Sequence, residues 1–176
     1  AQHSTAQHST AVDNGIVSFD KEKDNLIIKG NNLLALHTLR EKYTGQIKLI
    51  YIDPPYNTGS DSFLYNDRFN HSAWLTFMKN RLEIARELLT DDGYIFIQTD
   101  DSEQAYLKVL MDSIFGTNQY VNTISLLFKN IAGASGGGQD KRLKKNIEYV
   151  TIYSKNRELS RPFNSVYEFK KISNLV

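Results

Sequence analysis

Apolar positions along this chain fall into short β-branched runs separated by segments of helical period. Leu26–Lys29 reads as a short strand closed by a Gly30-Asn31 turn, after which Asn31 or Asn32 is placed to cap a helix carrying Leu33, Leu36 and Leu39. Ile47–Ile52 (IKLIYI) is a near-continuous apolar run, the pattern of a parallel strand buried on both faces. From about residue 71 to 89, Trp74, Met78, Leu82, Ala85 and Leu89 recur on one helical face. Thr90-Asp91-Asp92-Gly93 is turn chemistry, residues 94–98 (YIFIQ) form the next strand, and a helix from about Ser102 carries Leu107, Leu110, Met111 and Ile114, with Gly116 placed to end it. Residues 121–128 and 148–153 are two further strand candidates. Such alternation predicts an α/β fold with a doubly wound, mostly parallel sheet, whose ligand crevice lies at the carboxyl ends of the strands. Asp53 and Asp100 each follow a strand directly, so both are expected on that rim.

Length and charge narrow the picture. With 176 residues, 40% of them hydrophobic, the chain suits one domain with a sizeable core. A formal net charge of +1 marks no global field for nucleic acid, so any DNA contact must come from a local patch. The absence of cysteine excludes disulfides, thiolate metal sites and cysteine nucleophiles, and no apolar run is long enough to span a bilayer, so a cytoplasmic protein with no membrane contact is expected. The chain starts at Ala1 without an initiator methionine, and a piece of a longer protein is expected.

The first ten residues are AQHST written twice, a composition with nothing to bury, and a disordered arm is expected over residues 1–20. His3 and His8 read as by-products of the repeat rather than as metal ligands. The codons GCA-CAG-CAC-AGC-ACA spell this peptide and are themselves the five-base unit GCACA in tandem. Because such repeats slip during replication, the expectation is that repeat number switches expression by shifting the reading frame. Sequencing the gene tests this, since synonymous codons that break the five-base period would remove it; the competing origin is duplication at the protein level.

The chemistry concentrates at Asp53-Pro54-Pro55-Tyr56, directly after the apolar strand. By average composition that tetrapeptide starts at a given position on the order of once in a few hundred thousand. An exocyclic amino group on a nucleobase donates its lone pair into the ring and attacks poorly, so it must be polarised and aimed. The Asp53 carboxylate and the Pro54 carbonyl are acceptors suited to its two N–H bonds, the prolines add rigid backbone with no competing N–H, and Tyr56 offers an aromatic face for a flipped base. Methyl transfer in line then needs positioning and charge stabilisation rather than a covalent intermediate. A structural reading competes, in which the prolines stiffen a turn, Asp53 caps a neighbouring segment and Tyr56 fills a core.

The string IYIDPPYNTG (residues 50–59) resembles the catalytic motif of β-class amino-DNA methyltransferases. Similarity runs on through Trp74, Arg81-Leu82, LTDDGYIFIQTDD (89–101) and EYVTIYSKN (148–156), and IIKGNNLLAL (27–36) is similar to the segment preceding that motif in type III restriction-modification methylation subunits. Together the resemblance covers roughly residues 25–156. It implies a Rossmann-like methyltransferase fold, incomplete in this chain, with S-adenosylmethionine as donor and an adenine flipped from double-stranded DNA as acceptor. Asp53 and the Pro54 carbonyl would orient N6, Tyr56 would stack on the base, and Asp53, Pro54, Pro55 and Tyr56 would also border the cofactor. Asn in place of Asp53 resembles glutamine-modifying enzymes and Ser resembles cytosine-N4 enzymes, so Asp53 favours adenine. The implied partner is a restriction subunit with helicase and nuclease activities, and a homodimer is left open. No Phe-x-Gly-x-Gly string, the cofactor motif of this class, occurs here. That motif and the target-recognition domain are expected downstream, which divides the chain into the arm, a catalytic region over residues 21–156 and the start of the recognition region over 157–176. Asn31 stands where relatives often carry Asp.

Weaker constellations remain. Gly133, Gly136, Gly137 and Gly138 lack phosphate-loop spacing and read as a flexible loop. Lys141, Arg142, Lys144 and Lys145, on that loop, are the candidate DNA-phosphate contacts. Asp100-x-x-Glu103 reads as a helix-capping arrangement, with a role near the cofactor as the alternative. Two other functions stay open: a non-catalytic DNA-binding or scaffold fragment of the same fold, and an enzyme acting on cytosine N4 or a protein amide.

Overall fold

Each apolar run identified above becomes a strand or helix whose ends shift by a few residues at most, apart from one strand that extends back through a turn sequence. The computed structural model describes residues 5–8, 25–56, 71–127 and 147–164. In chain order the elements are β1 (Thr5–His8), β2 (Leu26–Lys29), α1 (Asn32–Tyr43), β3 (Ile47–Ile52), α2 (His71–Leu88), β4 (Leu89–Thr99), α3 (Gln104–Phe115), a 3-10 turn (Thr117–Gln119), β5 (Tyr120–Leu127) and β6 (Ile147–Ser154). Asn31 caps α1, its Oδ1 accepting from the backbone N–H of Leu33 at 3.0 Å and of Leu34 at 3.3 Å. Gly116 ends α3 with φ at 97°, a conformation that favours glycine, and its N–H returns to the Asp112 carbonyl.

The main sheet has the order β3-β4-β6-β5. β3 and β4 run parallel, with Ile50 opposite Ile95 and Ile52 opposite Ile97, whereas β6 lies antiparallel to both β4 and β5. The α/β class is as expected, but the sheet is mixed rather than mostly parallel. A parallel pair needs a crossover segment, which α2 provides between β3 and β4. Between β5 and β6 the sequence has no segment of helical period, and the two strands pair antiparallel.

One face of this sheet carries the core. Trp74, Met78, Leu82 and Ala85 of α2, Leu107, Met111 and Phe115 of α3, Leu89, Ile95 and Ile97 of β4 and Tyr153 of β6 form a single buried cluster. Leu82 has no exposed surface, so truncating it to Ala costs about 2–5 kcal/mol. The Tyr153 hydroxyl donates to Asp112 Oδ1 at 2.6 Å and Lys108 lies 2.7 Å from the same carboxylate, locking α3 to β6. Burial and then the Asp112 contact push the Tyr153 phenol above its ordinary range. Burial also opposes charge on Asp112, but the bonds from Lys108 and Tyr153 outweigh it and hold that carboxyl low.

The opposite face is less covered. Phe163 packs on Tyr94 and Phe96, and the Tyr94 hydroxyl donates to the Arg161 carbonyl at 2.7 Å. Packing on this face thus continues past Asn156. Leu49 and Tyr51 of β3 are 56% and 52% exposed, unlike the two-sided burial expected of IKLIYI. β3 is an outer strand of the four, and it is Ile50 and Ile52 that pack against the core cluster.

At the amino end of the sheet, Ile47 faces Leu89 but Leu49 faces Tyr94, so Thr90-Asp91-Asp92-Gly93 is a bulge within β4 rather than a turn before it. A Cβ on Gly93 would lie 2.9 Å from the Thr90 carbonyl oxygen, which is why the bulge closes on glycine. Thr5–His8 also departs from expectation. These four residues of the repeat pair antiparallel with β2, Thr5 opposite Lys29 and His8 opposite Leu26. Strand pairing uses backbone groups, so a segment with nothing to bury can still add to an open strand edge. The rest of the arm, with His3, lies outside the described residues, among which no helix is long and apolar enough to cross a membrane.

Candidate active site

Because β3 and β4 are parallel, both end on the same rim, where β3 delivers Asp53-Pro54-Pro55-Tyr56 and β4 delivers Asp100. Neither Pro54 nor Pro55 has an N–H to satisfy, and the Pro55 carbonyl accepts from the Trp74 indole Nε1 at 2.8 Å. Trp74 is a core residue, so this bond fastens the proline turn to α2. Asp53 is exposed, and Pro54, Pro55 and Tyr56 are half-buried.

The Tyr56 hydroxyl donates to Glu148 Oε2 at 2.8 Å. Gln98 Nε2 donates to that same oxygen at 2.6 Å, and the Tyr51 hydroxyl donates to Gln98 Oε1. Burial, then hydrogen bonding to Glu148 and to Asp53, pushes the Tyr56 phenol well above its ordinary range. Its hydroxyl therefore keeps its proton between two carboxylates. Glu148, Gln98 and Tyr51 were not singled out from the sequence. The signal was faint: each is a polar group at or near the end of an apolar strand, and only the pairing of Gln98 with Val150 brings Gln98 beside Glu148, two residues away on the same face.

A second cluster forms where α2 and α3 begin. Glu103 is buried with its Oε1 3.0 Å from His71 Nδ1, and the His71 ring stacks on Tyr106 at 4.2 Å. The expected capping arrangement is only half realised. Asp100 Oδ1 accepts from Ser102 N at 2.9 Å and so closes the turn before α3, while Glu103 turns inward and makes no side-chain cap. Lys141, Arg142, Lys144, Lys145 and the four loop glycines lie outside the described residues, as do residues 57–70. Among the described residues no group of three or more His, Cys, Asp or Glu is placed to hold a metal ion.

An α/β sheet with Asp-Pro-Pro-Tyr on its carboxyl rim is the arrangement expected of an amino-group DNA methyltransferase. Residues 47–174 match the N6/N4 DNA methylase family model, and the chain belongs to that family. It is 57% identical over 154 residues to the "Probable type III restriction-modification enzyme HindVI Mod subunit" of Haemophilus influenzae, covering 87% of this chain and 20% of that protein. To the type III EcoP15I Mod subunit of Escherichia coli it is 37% identical over 169 residues, covering 79% of this chain and 25% of that one. The chain thus spans a fifth to a quarter of these relatives' length. Among solved structures it resembles M1.HpyAVI in complex with SAM, at TM-score 0.52 and 14% identity over 81% of this chain and 60% of the other. That likeness is one of fold.

Proposed function

We propose that this chain is the catalytic part of a site-specific DNA methyltransferase that transfers a methyl group from S-adenosylmethionine to adenine N6, as the modification subunit of a type III restriction-modification system. The observation that carries the reading is the rim itself. An exposed carboxylate stands one residue from a proline carbonyl and three from a half-buried tyrosine. The 57% identity to a type III Mod subunit supports the same class.

On this reading Asp53 and the Pro54 carbonyl accept the two N6–H bonds, drawing the nitrogen towards a tetrahedral geometry, and Tyr56 stacks on the extruded ring. As the methyl bond forms, positive charge develops on N6, and the Asp53 carboxylate interacts more strongly than in the ground state. The donor set suits the cofactor, since Asp53 and Asp100 give the rim negative charge to face a cationic ligand. When bound, S-adenosylmethionine supplies an electrophilic methyl beside a cationic sulfur.

Further parts of the reading rest on sequence and kinship alone: phosphate contact by Lys141, Arg142, Lys144 and Lys145, a restriction subunit as partner, a cytoplasmic location, and expression switched by the AQHST repeat. The test uses the full-length protein, isotopically labelled S-adenosylmethionine and duplex DNA, with the methylated nucleoside identified by mass spectrometry. N6-methyladenine is expected. N4-methylcytosine, or cofactor binding with no methylated base, would sink the adenine reading.

A further inference from the structure

Glu148 is 92 residues from Tyr56 in sequence, on the other side of β4, yet its Oε2 receives the Tyr56 hydroxyl at 2.8 Å and the Gln98 amide at 2.6 Å. No lysine or arginine among the described residues pairs with it, so its partners there are two neutral donors on the face of the sheet that bears the rim. The Gln98 amide has one orientation available. The Glu148 carboxylate only accepts, so the Gln98 N–H must point to it, which leaves the amide oxygen to accept from the Tyr51 hydroxyl. A tyrosine ring otherwise keeps two free side-chain torsions, and anchoring the far hydroxyl removes that freedom before any ligand arrives.

We propose that Glu148 is a positioning residue of this site, holding the Tyr56 ring through its hydroxyl at one end of a Tyr51–Gln98–Glu148–Tyr56 hydrogen-bonded chain across β3, β4 and β6. The proposal rests on the reading that Tyr56 stacks on the extruded base, and it makes the hydroxyl matter as well as the π-face. Tyr56→Phe keeps the ring but loses the anchor.

Two measurements on the full-length protein test it. The first needs neither DNA nor cofactor: 3-fluorotyrosine is placed at position 56 and its phenol titrated by fluorine NMR. Removing the carboxylate in Glu148→Leu or Glu148→Gln is expected to lower the ionisation midpoint by on the order of one pH unit. An unchanged midpoint in the folded Gln variant overturns the proposal, so it stands or falls even if Glu148→Leu does not fold. The second is kinetic. Tyr56→Phe and Glu148→Leu should each lower kcat about three- to tenfold, with KM for S-adenosylmethionine unchanged and the double variant no slower than the slower single. Glu148→Gln, which retains an acceptor oxygen, should recover most of the loss. Losses that multiply, or a wild-type rate in folded Glu148→Leu, would overturn it. If the unmodified protein methylates no base, the functional reading fails and the fluorine titration alone judges the anchor.

Discussion

The two ends of one sheet treat their carboxylates in opposite ways. At the amino end Asp92 lies 2.5 Å from Lys48 Nζ, and Asp91 lies 3.2 Å from Lys155 Nζ. Each acid has a cation, and the bulge that carries them closes on its own backbone. At the carboxyl end Asp53 and Glu148 have no lysine or arginine partner among the described residues. What they share is the Tyr56 hydroxyl, with the Gln98 amide as a second donor to Glu148. Stability alone would favour neutralising such a pair. Carboxylates gathered around a proton donor without a cation mark the end of the sheet where the proposed chemistry lies, and neutralised ones the end where the fold is tied together.

The sharpest break of this contrast is in turnover. In the full-length protein Asp53→Ala should lower kcat about a hundred- to a thousandfold with the melting temperature nearly unchanged, because the side chain is exposed and, in the proposed function, stabilises charge only as it develops. Asp91→Ala and Asp92→Ala should leave turnover within about twofold, judged against ordinary surface substitutions. Equal losses at both ends would dissolve the comparison.

A smaller effect is expected where the rim meets the core. Trp74→Phe keeps most of the ring volume but leaves the Pro55 carbonyl without its indole donor, so denaturant unfolding should show a loss of about 1–3 kcal/mol. kcat should fall as well if the proline turn is held by that bond. A purely thermal effect, with kcat intact, would show that the turn is rigid by itself.

Least affected should be Lys48→Ala, lowering the melting temperature by at most a few degrees, and by less at high salt. Lys48, mainly through its hydrogen bond, holds the Asp92 carboxyl below its ordinary value. A lowered folded-state pKa contributes stability above the unfolded value near 3.9 and loses it as pH falls through the folded value. The Lys48→Ala difference should therefore shrink in acid, and a difference that grew on acidification would contradict the pairing.

How far the sequence reached differs between these regions for physical reasons. The strand IKLIYI, the helix carrying Trp74 to Leu88, the Asn31 cap and the Gly116 stop were legible because each depends on residues only a few positions apart. The Asp-Pro-Pro-Tyr rim was legible too, since a strand end is a local fact. The mixed order β3-β4-β6-β5, the Thr90–Gly93 bulge and the added strand at Thr5–His8 were not. Strand direction and register depend on which elements compete for the same edge, and no local period encodes that choice. The Glu148 anchor belongs with these. The chain by itself determined that an acidic, proline-stiffened, aromatic motif would stand at the end of an apolar strand. Only the antiparallel docking of β6 on β4 decided that a carboxylate 92 residues away would meet its tyrosine hydroxyl, because a contact across three strands exists only once the sheet is assembled.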